Sequence, residues 1–226
     1  MSHELRTPLN AITGYTSITL EGMSGEIDDE ARFMLQRVLL NGEHLLGLIN
    51  QILDLAKIES GRVVIMPRPF NPRELSEQWQ KQIGVLAAKK HIEFLTVIEE
   101  KMPPMLVGDP ERISQVVLNL LSNAIKFTDK GCVTLDMRLQ QNLWEVRVSD
   151  TGVGIPPHAL DLIFEEFRQA DNSSTRQHGG TGLGLTISRN LSRMMNGSLN
   201  VQSELGKGST FILQLPLAIP DTLPAQ

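Results

Sequence analysis

Between Glu30 and Ile58 the apolar positions Leu35, Leu39, Gly42, Leu46, Ile49, Leu53 and Ala56 return at alternating spacings of four and three. This seven-residue period predicts a long helix with a bundle-type seam, in which Gly42 is the weak point. A second row, Val38, Leu45 and Ile52, widens the stripe enough to suit a bundle of more than two helices. Upstream, Leu5, Leu9, Ile12 and Thr16 keep the same spacing, and the turn signals of EGMSGEIDD separate the two segments. Residues 1–61 are therefore expected to form an antiparallel helical hairpin that buries its broad face as a homodimeric four-helix bundle.

The texture then changes. Gly61 stands where a helix C-cap is expected, and MPRPFNP follows with three prolines that cannot continue a helix. Residues 62–70 read as a hinge with RVVIM as a first short strand. From 71 to 217 helix starts at Asn71–Pro72 and Asp109–Pro110 alternate with the strand patterns IEFLTVI, CVTLDMRL and LWEVRVSD. A polar QQN turn joins the last two strands, GLGLTISRNLSRMM makes a helix ending at Asn196–Gly197, and SLNVQSELGKGSTFILQLPL makes a final hairpin. The fold class expected is thus multi-domain, α then α+β, with a second domain of helices layered on one face of a mixed sheet. Residues 218–226, rich in proline and small side chains, are expected to be a disordered tail.

Composition narrows the function. With 226 residues, 41% hydrophobic and 21% charged, the chain is large enough for two cores and is neither disordered nor fibrous. Its 21 basic and 26 acidic residues give a net charge of -5, so nothing favours nucleic acid as partner. Cys132 is the only cysteine, which excludes an intrachain disulfide and fits a reducing compartment. No apolar run approaches the ~20 residues that span a bilayer, so membrane contact is not expected within this stretch.

Four clusters in the second domain carry chemistry. In NLLSNAIKFT, Asn119 and Asn123 lie four apart on a helix, so two neutral amide oxygens share one face suited to a hard cation. Lys126, three residues on, adds a charge suited to phosphate. In VRVSDTGVGIP, Asp150 ends a strand whose Trp144, Val146 and Val148 point inward, which sets its carboxylate at a pocket edge. There it can accept from an exocyclic amino group such as adenine's, while Gly152 and Gly154 let backbone approach a flat ring. IFEEF supplies Phe164 and Phe167. In GGTGLGL, Gly180, Thr181, Gly182, Leu183 and Gly184 run into a helix whose first N–H groups and dipole favour an anion.

Together with the opening MSHELRTPLN, these clusters resemble the H, N, G1, F and G2 boxes of the sensor histidine kinases of two-component signalling, in that family's order and over His3 to about Leu217. The resemblance implies a Bergerat ATP-binding fold in the second domain, with a lid from about Pro156 to Gly180. It implies Asn123 as the Mg²⁺ ligand, Asn119 and Lys126 around phosphates and metal, and Asp150 as the adenine-reading carboxylate. Gly152, Gly154, Gly180, Gly182 and Gly184 would shape pocket and lid, with Phe164 and Phe167 as apolar anchors of the lid. In the related ATPases a glutamate replaces Asn119 and activates water; an amide cannot act as that base.

The opening decapeptide then acquires a chemical reading. The neutral imidazole of His3 is a nucleophile for the γ-phosphorus of ATP, and Glu4 can hold the proton of its other ring nitrogen. Thr7, one turn along the same face, matches the family position that orients a water for dephosphorylating the partner. Pro8 frees the carbonyl of Glu4 and should bend or loosen the helix. The expected function is ATP-dependent autophosphorylation on His3 and transfer to an aspartate of a response-regulator receiver domain, with phosphatase activity toward that regulator as a second capacity. The alternative is a non-catalytic nucleotide-binding sensor or scaffold module. The expected setting is cytoplasmic, with an upstream sensor or membrane region compatible with this stretch.

Overall fold

The computed structural model describes residues 2–23, 25–166, 168 and 181–220, and for residues 2–5 the backbone alone. The chain divides into two compact units, Met1–Arg62 and Val63–Gln226.

The first unit is a helical hairpin of α1 (Ser2–Leu20) and α2 (Asp29–Glu59). Pro8 lies inside α1 without ending it. The start of α2 is fixed by Asp28, whose carboxylate accepts from the Ala31 N–H at 2.6 Å, with Asp29 and Glu30 complementing the positive helix end. At the other end Gly61 takes φ +65° and the Arg62 N–H closes on the Lys57 carbonyl, a left-handed cap that a side chain would strain. Gly42 departs from expectation. It is a buried point of α2, and a Cβ there would lie 2.7 Å from the Thr13 methyl. The position that looks weakest as a hydrophobe is a point of close approach between α1 and α2.

The second unit is built on a five-stranded sheet in the order β2-β4-β5-β7-β6. Its strands are β2 (Glu93–Ile98), β4 (Cys132–Gln140), β5 (Leu143–Asp150), β6 (Ser198–Glu204) and β7 (Gly208–Pro216). β2 runs parallel to β4 and the other pairs are antiparallel, so the sheet is mixed. Three helices, α3 (Pro72–Lys90), α4 (Pro110–Phe127) and α5 (Gly184–Met194), pack on one face. The alternation in β5 sends Trp144, Val146 and Val148 under them, and all three are buried. On the opposite face Glu145 is also buried, held by Gln214 at 2.7 Å and Arg147 at 2.8 Å. Burial alone would raise its pKa, but these two partners hold it below the ordinary carboxylate value.

Two local expectations need correction. RVVIM forms no strand; the first strand, β1, is Arg68–Phe70, and it pairs with an unforeseen β3, Leu106–Gly108. The reason is visible at Met66, whose N–H donates at 2.9 Å to the Asp109 carboxylate, so this stretch is tied to a helix cap instead of a ladder. At the C-terminal end Ala218 is still tied down, its carbonyl accepting from Val107 at 2.8 Å. Residues 221–226, the rest of the expected tail, lie outside the described residues.

Replacing Gly42 by leucine should cost about 1–3 kcal/mol through overpacking against Thr13. Thermal denaturation followed by far-UV circular dichroism would show it as a lowered hairpin transition; an unchanged transition would mean that the close approach is not tight in solution.

Candidate functional site

α4 builds the floor of the site. Its hydrophobic positions Val116, Val117, Leu120 and Leu121 have no exposed surface, which leaves Asn119, Asn123 and Lys126 together on the partly exposed side. Asn119 donates from Nδ2 to the hydroxyl of Ser188 on α5 at 2.9 Å. Its oxygen then faces Gly184: a Cβ on that glycine would meet Asn119 Oδ1 at 2.5 Å. The last glycine of GGTGLGL, which is the first residue of α5, and the Asn119–Asn123 face are thereby brought close together. Asn123 makes no side-chain hydrogen bond among the described residues. Burial lowers the Lys126 pKa from its ordinary value, and its ammonium lies 5.0 Å from the centre of the Phe127 ring.

Asp150 sits at the end of β5, as the alternation requires. Its Oδ1 accepts from the N–H of Gly152 at 2.8 Å and from that of Ser209 at 3.3 Å. Both bonds end on the same oxygen, so Oδ2 is the one available to a ligand. Desolvation pushes the Asp150 pKa above its ordinary value of 3.8, against the pull of the two N–H donors. Gly152 is required by space, since a Cβ would fall 2.3 Å from the Phe127 carbonyl. Gly154 is required by both space and conformation, with φ +69° and the Glu204 carbonyl 2.1 Å from where a Cβ would be. The Val153 N–H donates to Phe127 and the Gly206 N–H to Val153, which ties this loop to α4 on one side and to the β6–β7 turn on the other.

At the start of α5 the Leu183 N–H donates to the Thr181 hydroxyl at 3.1 Å, and Gly182 has φ +71°. Its N-cap residue, Leu183, supplies no side-chain cap, and among the described residues the start of the helix is suited to an anion. Phe164 lies on a short 3₁₀ turn, Leu162–Phe164, its carbonyl accepting from Thr186 at 2.9 Å and its ring 4.9 Å from the guanidinium of Arg189. The Leu162–Phe164 turn is thus anchored on α5 by backbone as well as by an aromatic ring.

Asn119, Asn123, Lys126, Asp150, Gly152, Gly154, Phe164, Thr181, Gly182, Leu183 and Gly184 all belong to the second unit. Phe167 and Gly180 lie outside the described residues, as does most of the lid. His3 and Glu4 are backbone positions of α1 whose side chains are not described, and Thr7 is exposed on the same helix. Ser188 and Ser209 were missed by sequence reasoning. Only Gly208 beside Ser209 carried a signal, because a glycine opening a strand marks close backbone approach; here a Cβ would lie 2.0 Å from the Asp150 carbonyl. A groove of about 770 Å³ between α3, α4 and β1, lined by Phe70, Gln78, Trp79 and Leu118 among others, contains none of the residues of this site.

Residues 108–219 match the family described as "Histidine kinase-, DNA gyrase B-, and HSP90-like ATPase", and residues 1–61 match the "His Kinase A (phospho-acceptor) domain". The autoinducer 2 sensor kinase/phosphatase LuxQ of Vibrio vulnificus is 41% identical over 224 residues, covering 96% of this chain and 26% of the relative. The sensor histidine kinase GacS of Pseudomonas protegens is 39% identical over 96% of this chain and 24% of its own length. Among solved structures, full-length ShkA in complex with AMPPNP superposes with a TM-score of 0.83 at 32% identity, over 97% of this chain and 45% of that one. The chain thus spans about a quarter of the length of these curated relatives. Both family models lie in one chain in the order the motifs require, and the chain belongs to the sensor histidine kinases.

Proposed function

We propose that this chain binds ATP in its second unit, transfers the γ-phosphoryl group to His3, and passes it on to an aspartate of a response-regulator receiver domain. The observation that carries the reading is the convergence of three chemically distinct elements: the amide face of α4, the free Oδ2 of Asp150, and the N-terminus of α5 close to Asn119. An adenine amino group suits Asp150, and phosphates suit the α5 N–H groups and Lys126. A ring nitrogen of His3 would attack the γ-phosphorus with its lone pair as the bond to the bridging oxygen breaks and ADP departs. Glu4 would hold the proton on the other ring nitrogen. Thr7 would orient a water that hydrolyses the aspartyl phosphate of the regulator, releasing inorganic phosphate. Phe167 and Gly180 would complete the lid.

Mg²⁺ fits this donor set. Among the described residues no group of three or more His, Cys, Asp or Glu side chains could hold a metal. An ion here would rest on nucleotide phosphates and water with Asn123 as its protein ligand, the pattern Mg²⁺ prefers. When bound it would neutralise charge on the phosphates.

The first unit's partner in this reading is the first unit of a second copy. Val38, Leu45 and Ile52, spaced by seven along α2, are 44%, 48% and 49% exposed. A hairpin cannot bury that row on itself, and a four-helix bundle of two copies can. No helix among the described residues is long and apolar enough to cross a membrane, and we place the reaction on the cytoplasmic side.

Incubation with γ-labelled ATP and Mg²⁺ should give an acid-labile, base-stable label that His3→Gln abolishes and Asn123→Ala lowers at least about a hundredfold. ATP binding without label would favour a nucleotide-binding scaffold instead, and label surviving His3→Gln would remove His3 as acceptor. Leu45→Glu with Ile52→Glu should convert a sedimenting dimer to monomer; a dimer that persists would place the interface elsewhere.

Asp150→Asn separates recognition from stability. A carboxyl whose folded pKa is raised contributes stability below its unfolded pKa and loses it as pH rises through the folded one. The asparagine variant should therefore melt at or above the wild-type temperature at pH 7, with the gap closing as pH falls into the carboxylate range, while ATP affinity drops. A variant that melts below wild type at pH 7 would show that the ionised carboxylate stabilises the fold.

A further inference from the structure

The end of α4 is capped in an unusual way. α2 and α3 both finish beside a residue in the left-handed region, Gly61 and His91. α4 finishes at Thr128 with φ -104° and ψ 115°, an extended conformation that offers no such cap. Its last four carbonyls nevertheless all find donors. The Thr128 hydroxyl donates to Ala124 at 2.8 Å, and the Val153 N–H donates to Phe127 at 3.3 Å. The two between them, Ile125 and Lys126, accept from the ammonium of Lys90 at 3.0 and 2.9 Å, and its remaining proton goes to the Thr128 carbonyl at 3.1 Å. A lysine in the last turn of α3 thus spends all three donors on the negative end of another helix. Its nearest carboxylate, Asp129, is farther off at 3.9 Å.

We infer that Lys90 is a positioning residue for the nucleotide site: it fixes where α4 ends, and thereby the seat of Lys126 and of the Gly152–Gly154 loop. The link is direct. The carbonyl of Phe127 is the acceptor for Val153 and the atom that Gly152 packs against, and it lies between two carbonyls held by Lys90. Without the ammonium, the carbonyls of Ile125, Lys126 and Thr128 each lose a charged donor, the last turn of α4 loosens, and the loop that seats Asp150 loses its register against Phe127. The inference rests on reading this site as an ATP site.

The test uses the full chain with Lys90→Met, which keeps the stem and removes the donors, Lys90→Arg, which restores charge and donors, and Lys89→Met on the exposed neighbour as control. The Kd for ATP should rise about tenfold in Lys90→Met, recover most of that loss in Lys90→Arg, and stay at the wild-type value in Lys89→Met. In the absence of nucleotide, hydrogen exchange at the Val153 amide should quicken in Lys90→Met while amides in the buried strand β5 keep their protection. Wild-type affinity and Val153 protection in a folded Lys90→Met would overturn the inference. If Lys90→Met does not fold, Lys90→Gln replaces it, and unchanged Val153 exchange there overturns it equally. Failure of the wild-type chain to bind ATP would instead overturn the site reading, and the exchange measurement, made without nucleotide, would still decide the part played by Lys90.

Discussion

The second unit depends on one constraint: α4 must bury an apolar face on the sheet while presenting amides on the adjacent face and leaving neither end unsatisfied. Four of its residues have no exposed surface, each worth roughly 1.5–3 kcal/mol against solvent exposure. That burial holds the helix down but does not fix its position along its own axis. The ends do. At the N-terminus one oxygen of Asp109 accepts from the Arg112 N–H and the other from Met66, and at the C-terminus the carbonyls are shared among Thr128, Lys90 and the loop after β5. A helix gripped in this way has a defined register, and Asn119, Asn123 and Lys126 inherit it.

The same economy runs through the rest of the site. Ser188 orders Asn119 from α5, and Thr186 and Arg189 on that helix hold the backbone and ring of Phe164. α5 therefore meets the amide face with one part of its surface and the Leu162–Phe164 turn with another. Any displacement of its N-terminus by a bound anion would be felt at both. The contacts are a serine hydroxyl, a threonine hydroxyl and a cation over a ring, each of modest strength, so the arrangement is ordered without being locked.

How much of this was legible in the sequence follows the range of each interaction. The starts of α3 and α4 were readable because Asn71–Pro72 and Asp109–Pro110 act on N–H groups two or three residues away. β4 and β5 were readable because alternation over eight or nine residues is a local pattern. β1 and β3 were not, since three-residue strands among prolines exist only by virtue of each other. RVVIM misled for the complementary reason: its β-branched residues favour a strand, and a carboxylate 43 positions away claims the backbone first. Glycines at the site could be named but not explained, because the atoms they make room for, such as the Phe127 and Glu204 carbonyls, are brought there by the fold. Ser188 and Lys90 leave no local trace at all, and Ser209 is marked only by the glycine before it.

Asp150 divides its two oxygens between different tasks. Oδ1 is consumed by two backbone donors that orient the carboxylate, and Oδ2 is left as a lone acceptor aimed away from them. An acceptor so fixed cannot swivel to present anything else. As the adenine-reading carboxylate proposed above, it would favour a purine carrying an amino group at the facing edge over one carrying a carbonyl there. In the ATP-site reading proposed above, discrimination between the two kinds of base would begin with the way the backbone of Gly152 and Ser209 orients a single carboxylate.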